Sequence, residues 1–134
     1  MRIEIATFAQ GVHENSDGSV DVLGIGRAPF AGDSSNLVVV VSVAFDSDEC
    51  EGTKSFDLDF FDPDLKPIFR ETSLGFNIAP NLEDGSCGLM WVSLPIVNWP
   101  TSGVYTARLS LNDKPLTDIL THAQRKLRPT VPAI

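Results

Sequence analysis

Asp57, Asp59, Asp62 and Asp64 are the densest set of oxygen ligands in the sequence. Several carboxylates at such short spacing are the donor type that holds Ca²⁺. The spacing departs from the EF-hand loop, which needs Asp-x-Asp-x-Asp-Gly. Here Phe60-Phe61 fill the middle and no glycine follows. A calcium site at the edge of a sheet is the one metal chemistry left to the group, set against a solvated strand face running into a turn. Asp46, Asp48, Glu49 and Glu51 form a second acidic stretch. It would join the first only if both loops met at one end of the fold, whereas Asp62 begins the end opposite residues 45 and 56. Both groups are read as solvated, and neither a metal nor a cofactor is expected.

A nucleophilic site needs an activated serine or cysteine. Gly85-Ser86-Cys87-Gly88 offers a thiol among small residues, but in a loop before a strand, with no helix N-terminus to lower its pKa. Cys87 is therefore expected to be inert and partly buried. His13 and His122 stand far apart, outside any HExxH, HxH or Cys/His spacing. Gly24-Ile25-Gly26 resembles the start of a dinucleotide fingerprint, yet the third glycine and the following helix are missing. Trp91 and Trp99 are candidates for stacking on sugar rings. Trp91 lies among Leu89, Met90, Val92 and Leu94 and reads as core or sheet face, whereas Trp99, in a loop beside Pro100, is the candidate for exposure.

The elements that carry these residues read as strands. The 10 glycines and 9 prolines fall between short β-branched and aromatic runs, the punctuation of strands joined by turns. Residues 2 to 13 form a first strand, Asp17-Gly18 supplies a tight turn, and residues 19 to 28 return. In that return the alternation slips at Val22-Leu23, which places a bulge close to Gly24 or Gly26. Leu37 to Phe45 is apolar on both faces at its start, so it belongs in the middle of a sheet. Phe56, Leu58 and Phe60 alternate with Asp57 and Asp59, giving one dry and one wet side. Asp62 to Pro67 is a turn, with Pro63 presetting φ for its second position, and residues 68 to 78 make a weaker strand. After a loop over 79 to 86, residues 87 to 97 form a strand that Pro95 and Pro100 confine to an edge or end early. From Gly103, Tyr105, Ala107, Leu109 and Leu111 face inward and Thr106, Arg108 and Ser110 outward, before Asn112-Asp113-Lys114 turns the chain. The stretch from Leu116 to Leu127 also fits one helical face, but the preceding turn and the alternation of Thr117, Ile119 and Thr121 favour a hairpin strand over 115 to 123. Seven or eight strands at this spacing predict an all-β fold: two antiparallel sheets packed as an immunoglobulin-like sandwich, one domain over residues 1 to 127, with 128 to 134 a flexible tail.

Composition narrows the functional classes. The chain has 134 residues and a net charge of −8, which disfavours nucleic acid and anionic membrane surfaces as partners. Arg125, Lys126 and Arg128, beside Pro129 and Pro132, read as part of a solvated tail. Glu4 stands where a secretory signal would place its apolar run, and nowhere do eighteen apolar residues follow one another. A cytoplasmic protein is expected, with Cys50 and Cys87 as reduced thiols.

Arg2-Ile3-Glu4-Ile5-Ala6, then Asp17-Gly18 with Val20 to Gly26, the Asp62-Pro63 turn, and Gly103-Val104-Tyr105 through Asn112-Asp113-Lys114 resemble a family of short bacterial cytosolic proteins classed as a domain of unknown function. The resemblance implies a β-sandwich and a bacterial source, with no activity to inherit. The sequence departs from that pattern over Thr117 to Lys126, where it is more polar. Three functions stay open: a non-catalytic module acting through protein contact or self-association by a sheet face or edge strand; a small-ligand or carbohydrate module using Trp99; and an enzyme whose site assembles from Cys87, His13, His122 and the Asp57 to Asp64 carboxylates.

Overall fold

Alternation, turns and β-branched runs produce an all-β chain. The computed structural model describes residues 1–32, 36–45, 52–78, 86–94 and 99–125, and of these the side chains at 52, 53, 73 and 76–78 are left aside. The expectations for the 46–51 acidic loop, Cys50, residues 79–85, Pro95, Lys126, Arg128 and the tail lie outside the described residues.

Among the described residues nine strands run β1 (Arg2–Ala9), β2 (Gly11–Glu14), β3 (Val20–Leu23), β4 (Val38–Phe45), β5 (Gly52–Phe61), β6 (Pro67–Ile78), β7 (Ser86–Ser93), β8 (Gly103–Leu111) and β9 (Lys114–Ala123). They form three antiparallel sheets, ordered β1-β4-β7, β2-β3 and β6-β5-β8-β9. The expected all-β, antiparallel architecture is present, with the described strands grouped in three sheets. The segment after Leu116 is the hairpin strand β9, turned by Asn112 and Asp113, which take φ of 50° and 63°. Left-handed values at both central residues match the twist of a two-residue hairpin.

The third sheet arises because the first strand breaks. The alternation predicts residues 2 to 13 as one piece, but the chain turns aside at Gln10, whose N–H donates to the Leu23 carbonyl at 2.8 Å. β1 continues onto β4, while among the described residues β2 pairs only with β3. Gly26 N–H ties the hairpin's base back to the Phe8 carbonyl at 2.9 Å. Gly24 there takes φ +65°, a left-handed value that favours glycine, and a Cβ would come within 2.7 Å of the Gln10 side chain and have to displace it.

The expected bulge in the return strand is likewise corrected. β2 and β3 pair without a slip, and the change of pattern at Val22-Leu23 marks the strand's end. A bulge does occur at the opposite side of the hairpin, in β1, where Ile3 pairs with Val43 and Ile5 with Ser42. The extra residue, Glu4, reverses the parity of alternation. Ile3, Ala6 and Phe8 therefore all reach the core, while Ile5 stays exposed.

One hydrophobic cluster joins the two larger sheets. It takes Phe8, Val39, Val41 and Val43 from the first and Phe56, Leu58, Phe60, Tyr105, Ala107 and Leu109 from the second. At its centre Phe60, Trp99 and Tyr105 pack with ring centroids 4.8–6.0 Å apart, the edge-to-face and offset geometry that aromatic quadrupoles favour. The Tyr105 hydroxyl donates to the Thr101 carbonyl at 3.0 Å. β4 is central and buried on both faces, as its sequence requires. Its second face carries Val38 and Val40 into a smaller cluster with Ala9, against which Val12 and Val22 of the hairpin and Leu89 and Trp91 of β7 pack. The hairpin thus lies over the outer face of the β1-β4-β7 sheet.

Candidate interaction face

The outer face of the β6-β5-β8-β9 sheet is built by the alternate residues that do not enter the core. Register places Arg70 on β6 opposite Asp59 on β5, Asp59 opposite Arg108 on β8, and Arg108 opposite Asp118 on β9. Directly opposed residues in antiparallel strands share a face, so four charges of alternating sign form one row across the whole sheet. Arg70 donates to Asp59 at 3.0 Å and to Asp57 at 3.4 Å. Arg108 holds Asp118 through two bonds, 2.9 Å from Nε and 3.2 Å from Nη2. The Arg108 guanidinium also lies 5.4 Å from the Phe61 ring centroid, within cation–π range. The hydrogen bond with Asp118, then the charge of Asp118, hold the Arg108 pKa above its ordinary value, with a smaller contribution from the charge of Asp59.

Beside the charged row runs a less polar one. Phe61 pairs with Thr106 and Thr106 with Leu120, and on β6 Phe61 pairs with Pro67, next to the bulge residue Ile68. Thr106 and Ser110, expected to be exposed on this side, are buried: Thr106 sits between Phe61 and Leu120, and Ser110 between Asp57 and Pro115. Leu120 is 62% exposed; Val104 on β8 and Leu116 on β9 are exposed on its side of the sheet, and Ile68 is exposed on β6 at the other edge. A shallow depression of about 520 Å³ opens next to the row, lined by Arg108, Pro115, Leu116, Thr117 and Asp118.

The residues singled out in the sequence are distributed differently from a site. Asp57 and Asp59 lie on the outer face of β5 and are engaged by Arg70. Asp62 closes the β5–β6 turn, its Oδ1 accepting the backbone N–H groups of Asp64 at 2.9 Å and Lys66 at 2.8 Å. Among the described residues no three His, Cys, Asp or Glu side chains are grouped so as to hold a metal ion. Cys87 lies on edge strand β7 and is exposed, which corrects its expected partial burial. His13 on β2 and His122 on β9 belong to different sheets, so these candidates and the β5 carboxylates are spread over three sheets.

Trp99 is the largest correction. It is 0% exposed and sits edge-on to Tyr105 in the main core, with a left-handed φ of 45°. Its ring is part of the core and offers no face to a sugar. Gly24 and Gly26 both take positive φ at the end of β3 and serve the hairpin's base. The charged row is invisible to sequence reasoning because Arg70, Asp59, Arg108 and Asp118 are far apart in the chain; only register brings them into line. Their one sequence signal is that each occupies an outward position of its strand.

A family model described as a family of unknown function (DUF6941) matches residues 4–123. The chain belongs to that family, and the matched span takes in all nine strands except the start of β1. No curated protein matches the sequence. Among the described residues, no helix is long and apolar enough to cross a membrane.

Proposed function

We propose that this chain is a non-catalytic, cytosolic domain that works by protein–protein contact through the outer face of its four-stranded sheet. The observation that carries the reading is the exposure of Leu120, with Ile68, Val104 and Leu116, around an ordered row of charges on one sheet face. Apolar side chains gathered around fixed, directional charges are the composition of a contact surface. For its architecture we propose an immunoglobulin-like, two-sheet sandwich with the β2–β3 hairpin as an addition. Without that hairpin the seven strands fall into sheets of order first-second-fifth and fourth-third-sixth-seventh. The Tyr105 hydroxyl bonding back to Thr101 near the start of the sixth strand supports the same reading, because a tyrosine corner at that strand marks the immunoglobulin-like class. Burial of Trp99 weighs against a carbohydrate module.

The test is photo-crosslinking in the cells that make the protein, with a benzophenone amino acid replacing Leu120 on the proposed face or Ile25, 63% exposed, on the hairpin side. Discrete adducts from position 120 alone, mapped by peptide mass, are expected. Adducts from neither position, or equally from both, would remove the reading.

A further inference from the structure

We infer that the occupant of this face is a second copy of the same chain, packed face to face about a two-fold axis that runs parallel to the strands between β5 and β8. This rests on the contact reading above and names its partner. Across the sheet the row reads Arg70, Asp59, Arg108, Asp118, so its charges are plus, minus, plus, minus, and its midpoint lies between β5 and β8. Rotation about an axis through that midpoint lays the row over its own copy in reverse order. Arg70 then meets the partner's Asp118, Asp59 meets the partner's Arg108, and all four positions oppose unlike charges. A row with the same sign at both ends could not do this.

The neighbouring row obeys the same operation. The exposed Leu120 of β9 then lies over the partner's β6, where Ile68 is exposed at the bulge next to the Phe61–Pro67 pair, so apolar side chains face one another toward the edges of the sheet. The axis also keeps the strands of the two copies aligned, the arrangement in which sheets pack face to face. A two-fold interface uses one patch twice and must be self-complementary; here complementarity of charge and of apolar row follows from a single axis. The face is four strands wide at about 4.8 Å per strand, and with strands of about nine residues at about 3.4 Å each it spans on the order of 600 Å² in plan. Pleating and side chains raise the accessible area above that, toward the roughly 800 Å² per partner of a stable interface.

Sedimentation equilibrium of the purified full chain tests the inference. The expected result is a concentration-dependent rise from 14.5 kDa to twice that mass, weakened at least tenfold by Leu120→Asp and unchanged by Ile25→Asp. A second variant reverses the row (Arg70→Asp, Asp59→Arg, Arg108→Asp, Asp118→Arg), preserving opposite signs within the chain and self-complementarity. It is expected to pair with itself and, in a mixture carrying a mass label, not with the wild type, since that pairing opposes like charges at four positions. A wild-type chain that stays monomeric to millimolar concentration, a dimer indifferent to Leu120→Asp, or free mixing of wild type with the reversed row would overturn it. Monomeric wild type with position-120 adducts to a different protein would end the two-fold pairing and leave the contact reading standing; monomer without adducts would end both.

Discussion

The outer faces of the two larger sheets are treated in opposite ways. On the β1-β4-β7 sheet the chain supplies its own cover: the β2–β3 hairpin brings Val12 and Val22 over Val38 and Val40, and Val40 is 1% exposed. On the β6-β5-β8-β9 sheet the corresponding face keeps Leu120 and Ile68 at the surface and sets a row of alternating charges alongside them. A sheet whose second face is covered tolerates valine at both parities, which is why β4 lacks alternation. A sheet whose second face meets water or a partner must alternate, as β5 does. The sequence pattern of each central strand is therefore a record of what lies on its far side.

The same substitution on the two faces breaks the comparison most sharply. Val40→Asp places an unpaired carboxylate under the hairpin and is expected to cost more than about 4 kcal/mol, enough to unfold most of the population. Leu120→Asp on the open face is expected to change stability by no more than about 1 kcal/mol. Urea denaturation followed by far-ultraviolet circular dichroism measures both, and equal losses would mean that the faces do not differ in cover. Between these extremes lies Tyr105→Phe, which removes the buried hydroxyl that bonds to Thr101. It is expected to cost about 1 to 2 kcal/mol in the same denaturation, a yardstick for the core that both sheets share.

The smallest effect concerns the tip of the covering hairpin. Asp17 Oδ1 accepts from the Ser19 hydroxyl at 2.6 Å and from the Ser19 backbone N–H at 2.9 Å. Those bonds, the hydroxyl's first, lower the Asp17 pKa from its usual 3.8. A depressed folded pKa means that this contribution is present in full above the unfolded value and is lost as pH falls through the folded one. The Ser19 amide resonance should therefore titrate with a midpoint below 3.8, and Asp17→Asn should abolish that titration while leaving the open face unmoved. A midpoint above that value would show that the bonds do not hold the turn in solution.

Much of this contrast is legible in the order of residues alone. Phe56, Leu58 and Phe60 alternate with Asp57 and Asp59, and the alternation predicts the dry and wet sides of β5, because side chains in a strand have a period of two. The unbroken valines of β4 predict a central, doubly covered strand. What covers it is not legible, since the break at Gln10 depends on tertiary bonds to Leu23 and leaves only the glycines that follow. Trp99 misleads because a loop residue outside any strand has no period from which to read burial, and its neighbour Pro100 resembles a surface turn. The charged row escapes for a different reason: its four members acquire a common line only when three strand pairings fix their register. The bulge at Glu4 is of the same kind, a change of parity that shows only against β4.

The placement of the two tryptophans has an optical consequence. Trp99 is sealed among Phe60 and Tyr105, whereas Trp91 belongs to the edge strand and is only partly covered. With Trp91 replaced by Phe, the remaining indole would emit from a dry aromatic cage in the native state and from water once the two larger sheets part. Its emission maximum becomes a gauge of that separation alone, blind to fraying of the hairpin, so the opening of the core can be timed independently of the opening of its cover.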